Sequence, residues 1–202
     1  MKTNEIKLTS QGLGMKEALE ATEKLGAEAG LGHKELLRLR LLGEELCGLM
    51  RGITGDLEAS YFAEQENKTF NLHLTSDVTL NLAMRRQLID VSSTGENAAA
   101  KGFTGKLREM IAVALLPRGT GPSLLSMGFM SMGSPGGFRA STGTCDWSLL
   151  KYKEEVGNNR AASGEADAAW DELEKSIVAQ LADEITVSVV GSRVEITIRK
   201  AF

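Results

Sequence analysis

Apolar positions alternate along some stretches of this chain and recur every three to four residues along others. The two periods predict its elements. Glu5–Thr9 alternates, with Ile6 and Leu8 on one side, and reads as a short strand. From Met15 to Ala29, Leu19, Thr22, Leu25 and Ala29 fall at helical spacing, and Gly30 and Gly32 close that helix. The clearest helix is His33–Ile53, where Leu39, Leu42, Leu46, Leu49, Met50 and Ile53 share one face. At 1.5 Å per residue it is about 30 Å long, and Gly55 and Asp56 end it. Two strand-like runs follow. Leu57–Gln65 holds Tyr61 and Phe62, and Thr69–Ser76 sets Phe70, Leu72 and Leu74 against Asn71, His73 and Thr75. Glu66, Asn67 and Lys68 form the hairpin turn between them.

The second half is less regular. Leu80, Met84, Leu88 and Val91 predict a helix over Leu80–Val91, and Gly105–Leu116 predicts another, stopped by Pro117. The stretch from Pro117 to Gly143 has no clean period. Trp147–Lys153 reads as a strand, Gly157–Gly164 as a polar loop, and Ala168–Ala182 as a helix carrying Trp170, Leu173, Ile177, Val178 and Leu181. Ile185–Val190 and Val194–Ile198 alternate around Gly191–Ser192, a strong hairpin signal. Helices in groups and strands in hairpins predict an α+β fold. The expected architecture is a two-layer α/β sandwich, with helices on one face of a mixed, mostly antiparallel sheet.

Composition narrows the function classes. Apolar residues make up 42% and charged residues 25% of the 202, an ordinary globular balance. The run Ile111–Leu116 falls far short of the roughly 20 apolar residues of a spanning helix, so no membrane association is expected. The net charge is −4, and basic residues occur only as pairs such as Arg38/Arg40 and Arg85/Arg86, so no nucleic acid partner is expected. Two cysteines, Cys47 and Cys145, are too few for a disulfide framework. Cys47 reads as a buried helix residue and Cys145 as loop or strand start. With no apolar signal core in Met1–Ser10, the expected compartment is the cytoplasm. His33 and His73 lack partners at ligand spacing, so no metal site is expected. His33 reads as a cap-region residue and His73 as an outward strand position, which leaves a hydrolase triad without support. Glycine is the outlier at 22 residues, about 11% against an average near 7%. All three prolines and seven of the glycines lie between Pro117 and Gly143.

Three pieces of the chain resemble the histidine-kinase-like ATPase (GHKL) superfamily, and within it the anti-sigma-factor serine kinases. They are Arg40-Leu-Leu-Gly-Glu-Glu-Leu-Cys-Gly-Leu-Met50 on the long helix, the hairpin 57–76, and the closing unit Lys175–Val190 followed by Arg193–Arg199. The resemblance covers most of 1–90 and 168–202. It implies a single domain over 1–202 with an enlarged lid or insertion at about 95–165. ATP or ADP is the implied ligand. In that family a glutamate on the helix activates water and an asparagine four residues later binds magnesium. Glu45 matches the glutamate, but Leu49 stands four residues on, and Gly48 stands four after Glu44. Magnesium and efficient hydrolysis are therefore not expected. Asp77 ends its strand where the family's adenine-binding aspartate stands, but Val78, Thr79 and Leu80 follow instead of glycines. A phosphate loop is matched only loosely, by Lys101-Gly102-Phe-Thr-Gly105-Lys106.

Each candidate also has a structural reading. Gly48, Gly52 and Arg38 share the flank of the helix that carries Glu45. That carboxylate either faces a pocket cleared by the glycines, or is a boundary glutamate paired with Arg38 or solvated, with the glycines serving close packing. Glu44 forms an ordinary surface pair with Arg40. Asp77 either recognises adenine or caps the helix after it. Lys101–Lys106 either holds an anion at a helix start or is a solvated turn. Met127–Met132 is an adaptable apolar stretch suited to a mobile lid, a partner-binding loop or plain core filling. Trp147 and Trp170 read as core anchors. Three functions follow: a nucleotide-binding regulatory protein with weak or no catalysis, a non-catalytic interaction module that binds a protein partner or itself, or an active serine kinase.

Overall fold

A computed structural model describes residues 1–9, 11–51, 58–78, 103, 107, 111, 115, 139–141 and 144–202. Strand β1 (Ile6–Thr9) leads into helices α1 (Met15–Glu28) and α2 (His33–Arg51), then strands β2 (Glu58–Glu66) and β3 (Thr69–Asp77). After the intervening segment come β4 (Arg139–Ser141), β5 (Thr144–Ser148), α3 (Leu149–Asn159), α4 (Gly164–Lys175), α5 (Ile177–Leu181), β6 (Glu184–Val190) and β7 (Arg193–Ala201).

The strands form one seven-stranded sheet in the order β1-β2-β3-β7-β6-β5-β4. Every pairing among them is antiparallel, so the expected mixed character is absent from the described strands. The class is α+β as expected. Register follows from period 2: Ile6, Tyr61, Leu74, Ile196, Val187 and Trp147 stand side by side across six strands. All six are buried. A slip of one residue in any strand would turn its apolar set to the other face.

Helices cover that apolar face. α1 packs on β1 and β2, α2 on β3 and β7, α3 on β5 and β6, and α5 lies beside α2. Leu39, Leu42, Leu46 and Leu49 of α2 are fully buried, with Cys47 beside them. The other sheet face is polar, with Ser60, Thr75, Glu195 and Ser188 in one row and Phe62, His73, Thr197 and Thr186 in the next.

The core admits few polar groups. Thr22 and Tyr61 bring one pair between α1 and β2: their hydroxyls lie 2.7 Å apart, and Thr22 donates to the Ala18 carbonyl at 2.8 Å. Burial raises the Tyr61 phenol well above its ordinary range, so it stays a neutral donor.

Three local expectations change. Trp147–Lys153 is not one strand: β5 stops at Ser148 and α3 begins at Leu149. The Ser148 side chain accepts from Lys151 N, and the Glu184 carboxylate accepts from Leu150 N at 3.2 Å and from the Ser148 hydroxyl. A partner 34 residues away in sequence thus satisfies the orphan donors of the new helix. α3 runs on to Asn159, past Gly157, where a polar loop was expected. Ala168–Ala182 is two helices, because Ser176 takes an extended backbone (φ −85°, ψ 116°) and caps α5 by accepting from Ala179 N. Within 95–165, the described β4, β5 and α3 belong to the main sheet and its cover.

Candidate functional site

The flank of α2 is built by its periodicity. With Leu39, Leu42, Leu46 and Leu49 buried toward the sheet, Arg38, Glu45 and Gly48 turn to one side. Arg38 is exposed, while Glu45 and Gly48 are half-buried. Among the described residues no ion pair joins Glu45 to Arg38. A Cβ at Gly48 would meet no heavy atom within 4 Å. Gly43 is different: a Cβ there would lie 3.1 Å from Leu19 Cδ2 and 3.5 Å from the Tyr61 hydroxyl. One helix thus carries a packing glycine toward α1 and an open glycine beside Glu45.

Glu44 faces elsewhere. Arg40 donates to Glu44 Oε1 at 3.1 Å, as the four-residue spacing predicts, and to Glu23 Oε1 of α1 at 2.8 Å. The Glu23 arm is tertiary and could not be read from helix spacing. Of the two adjacent glutamates, therefore, Glu44 belongs to a clamp between helices, and Glu45 has no ion-pair partner among the described residues.

Asp77 is the exposed last residue of β3 and sits opposite Arg193 of β7. Val78 N donates to Ser192 O at 2.7 Å, which ties the exit of β3 to the β6–β7 turn. The strand end that presents Asp77 is thereby anchored. β2 starts seven residues after α2 ends and places Ala59 opposite Ser76, so the chain leaving α2 enters the sheet at the Asp77 end. Gly52, Lys101, Gly102, Gly105 and Lys106 lie outside the described residues, as do the helix Asp77 was expected to cap and the Met127–Met132 stretch.

Phe103, Leu107 and Ile111 are helical and buried, and Leu115 N donates to Ile111 O at 3.1 Å. Phe103 lies against Trp147 and Tyr152, with ring centroids 5.9 and 6.2 Å apart. Burial, with Glu172 adding to it, pushes the Tyr152 phenol up to about 12. The expectation of Trp147 as a core anchor holds, and Trp170 is half-buried against the core.

One arrangement was not foreseen. On the open sheet face, Thr197 Oγ1 lies 3.1 Å from His73 Nδ1, and His73 Nε2 lies 3.2 Å from Glu64 Oε1. The His73 ring stacks on the Phe62 ring at 4.4 Å, and Lys2 Nζ sits 3.8 Å from the centroid of the Phe62 ring. The Phe62–His73 pairing follows from the hairpin register and was legible in principle; the contact with Thr197, 124 residues away, was not. The series joins hydroxyl, imidazole and carboxylate, but it lies flat on neighbouring strands. A cavity of about 400 Å³ lies elsewhere, between α1 and α2, beside Glu20, Glu23, His33 and Leu37. Among the described residues no group of three His, Cys, Asp or Glu is placed to hold a metal ion.

Comparison with known proteins adds one partial likeness. No family model matches the chain, and no solved structure matches it. A stretch of 77 residues is 34% identical to the HTH-type transcriptional regulator HexR of Pseudomonas aeruginosa. That stretch is 38% of this chain and 26% of the regulator, so the chain spans about a quarter of that relative's length. No helix among the described residues is long and apolar enough to cross a membrane.

Chemically, the α2 flank offers a carboxylate with no ion-pair partner among the described residues, and beside it a glycine with space where a Cβ would stand. Glu45 can accept from a ligand's amino or hydroxyl group, or orient a water. Gly48 lets a ligand approach the helix backbone. Neither it nor Leu49 supplies a side-chain oxygen for a magnesium ion, which takes oxygen ligands in near-octahedral geometry.

Proposed function

We propose that this chain is a cytoplasmic regulatory protein that binds ATP or ADP at the α2 flank, in the manner of the histidine-kinase-like ATPases, with little or no turnover. The observation that carries the reading is half-buried Glu45, without an ion-pair partner among the described residues, on the same flank as Gly48, while the neighbouring Glu44 is held by Arg40. The order of elements supports it: a long helix, then a hairpin ending at Asp77, then a closing hairpin beside it. The missing magnesium-ligand side chain supports binding without efficient hydrolysis. In this reading Asp77 contacts the base and the Lys101–Lys106 segment contacts phosphate.

Calorimetric titration with ATP and ADP, with and without magnesium, tests the proposal. Binding is expected with either nucleotide. Glu45→Ala and Lys106→Ala should each weaken it about tenfold or more, which corresponds to ~1.4 kcal/mol. No heat at millimolar nucleotide would overturn the nucleotide claim. If self-association or partner binding were then found and lost on deleting 120–143, the conclusion would pass to a non-catalytic interaction module. Transfer of labelled phosphate to a serine would instead identify an active kinase.

A further inference from the structure

We infer that the turn from Gln11 to Gly14 shields the free edge of β1 and keeps it from pairing with the β1 edge of a second copy. β1 is the first strand of the sheet and pairs only with β2. Such an edge presents unpaired N–H and C=O groups to any passing strand. Here the chain itself engages those of Thr9. Thr9 N donates to Leu13 O at 3.2 Å, Gly12 N donates to Thr9 O at 2.9 Å, and Leu13 N donates to Thr9 Oγ1 at 3.3 Å. Outward and inward residues alternate in an antiparallel ladder, so the backbone groups of Lys7 point the same way as those of Thr9.

Gly14 presses on that second set. A Cβ built there would lie 2.0 Å from Lys7 O and 3.1 Å from Lys7 C. No residue with a side chain fits against the carbonyl, and the φ of +78° favours glycine independently. The turn is pinned to the start of α1, since Ala18 N donates to Gly14 O at 2.9 Å and Met15 N to Gly12 O at 3.3 Å. It therefore occupies the place where another strand would add. The occupant it excludes is a second copy of β1, because two identical edges related by a two-fold axis satisfy each other's outward groups in antiparallel pairing.

The test is mass by light scattering across a wide concentration range, with far-UV circular dichroism confirming the fold. Gly14→Ala should populate a species of twice the wild-type mass, increasingly so at higher concentration. Adding Thr9→Pro should restore the wild-type mass. Proline has no N–H for an incoming strand, and the Thr9 N–H is not used in the ladder with β2. A folded Gly14→Ala protein of wild-type mass at every concentration would overturn the inference, as would a dimer indifferent to Thr9→Pro. Should Gly14→Ala not fold, Gly12→Ala (φ +92° in the parent chain) loosens the turn without the clash at Lys7 and is judged by the same outcomes.

Discussion

At the scale of single residues, α2 shows how one amino acid serves opposite ends. Gly43 lies against Leu19 and the Tyr61 hydroxyl, whereas Gly48 has open space on its side. Gly48→Ala should therefore stabilise the apo protein by about 0.5–1 kcal/mol, the ordinary helical preference of alanine over glycine, read as a higher urea midpoint. The same substitution should weaken ATP or ADP if the ligand approaches that backbone. The Thr22–Tyr61 pair gives an asymmetric prediction. Tyr61→Phe removes one donor and leaves Thr22 bonded to Ala18 O, so about 0.5–1.5 kcal/mol is lost. Thr22→Val strands a buried phenol and should cost about 1–3 kcal/mol. Equal losses in chemical denaturation would contradict this account.

At the scale of elements, the joints are held by side chains from far along the chain. Asp183 precedes β6 and accepts from Lys200 Nζ and from Ala201 N, both at 2.7 Å, at the end of β7. Burial pushes its carboxyl upward, but these two hydrogen bonds and the Lys200 charge outweigh burial and hold it below the ordinary carboxylate range. A carboxyl depressed in the folded state contributes stability above its unfolded pKa and loses it as pH falls through the folded value. Asp183→Asn should thus lower the urea midpoint at neutral pH and flatten its decline under acid; an unchanged acid limb would remove Asp183 from the cause. Ser148 is the second joint. Ser148→Ala removes the cap of α3 and the bond to Glu184, with an expected loss of about 1 kcal/mol by thermal or urea unfolding.

At the scale of the whole molecule, one seven-stranded antiparallel sheet is covered on its apolar face by helices drawn from both ends of the chain. Phe103 carries the middle of the sequence into that core, against Trp147 and Tyr152. Phe103→Ala should cost about 3–5 kcal/mol, typical of emptying a buried aromatic site. It should also shift Trp147 emission to the red, best seen in a Trp170→Phe background. A variant with parental stability and emission would show that Phe103 is not anchored there.

Much of this was legible in the sequence because it depends on local period. Alternation at Ile6–Leu8, Phe70–Leu74 and Ile185–Val189 determined strands and the side each buries. The 3.6-residue period of Leu39–Leu49 determined the long helix, the burial of Cys47 and the flank carrying Glu45. The Arg40–Glu44 pair needed only spacing. What tertiary structure alone decided rests on partners distant in sequence. Glu184 turns Trp147–Lys153 from an expected strand into a strand end and a helix. Thr197 completes the polar series at His73, Glu23 takes the second arm of Arg40, and Lys7 requires glycine at Gly14. Period reports which side of an element is apolar. It is blind to which remote polar group arrives to satisfy a backbone end, because that arrival is set by the packing of the whole sheet.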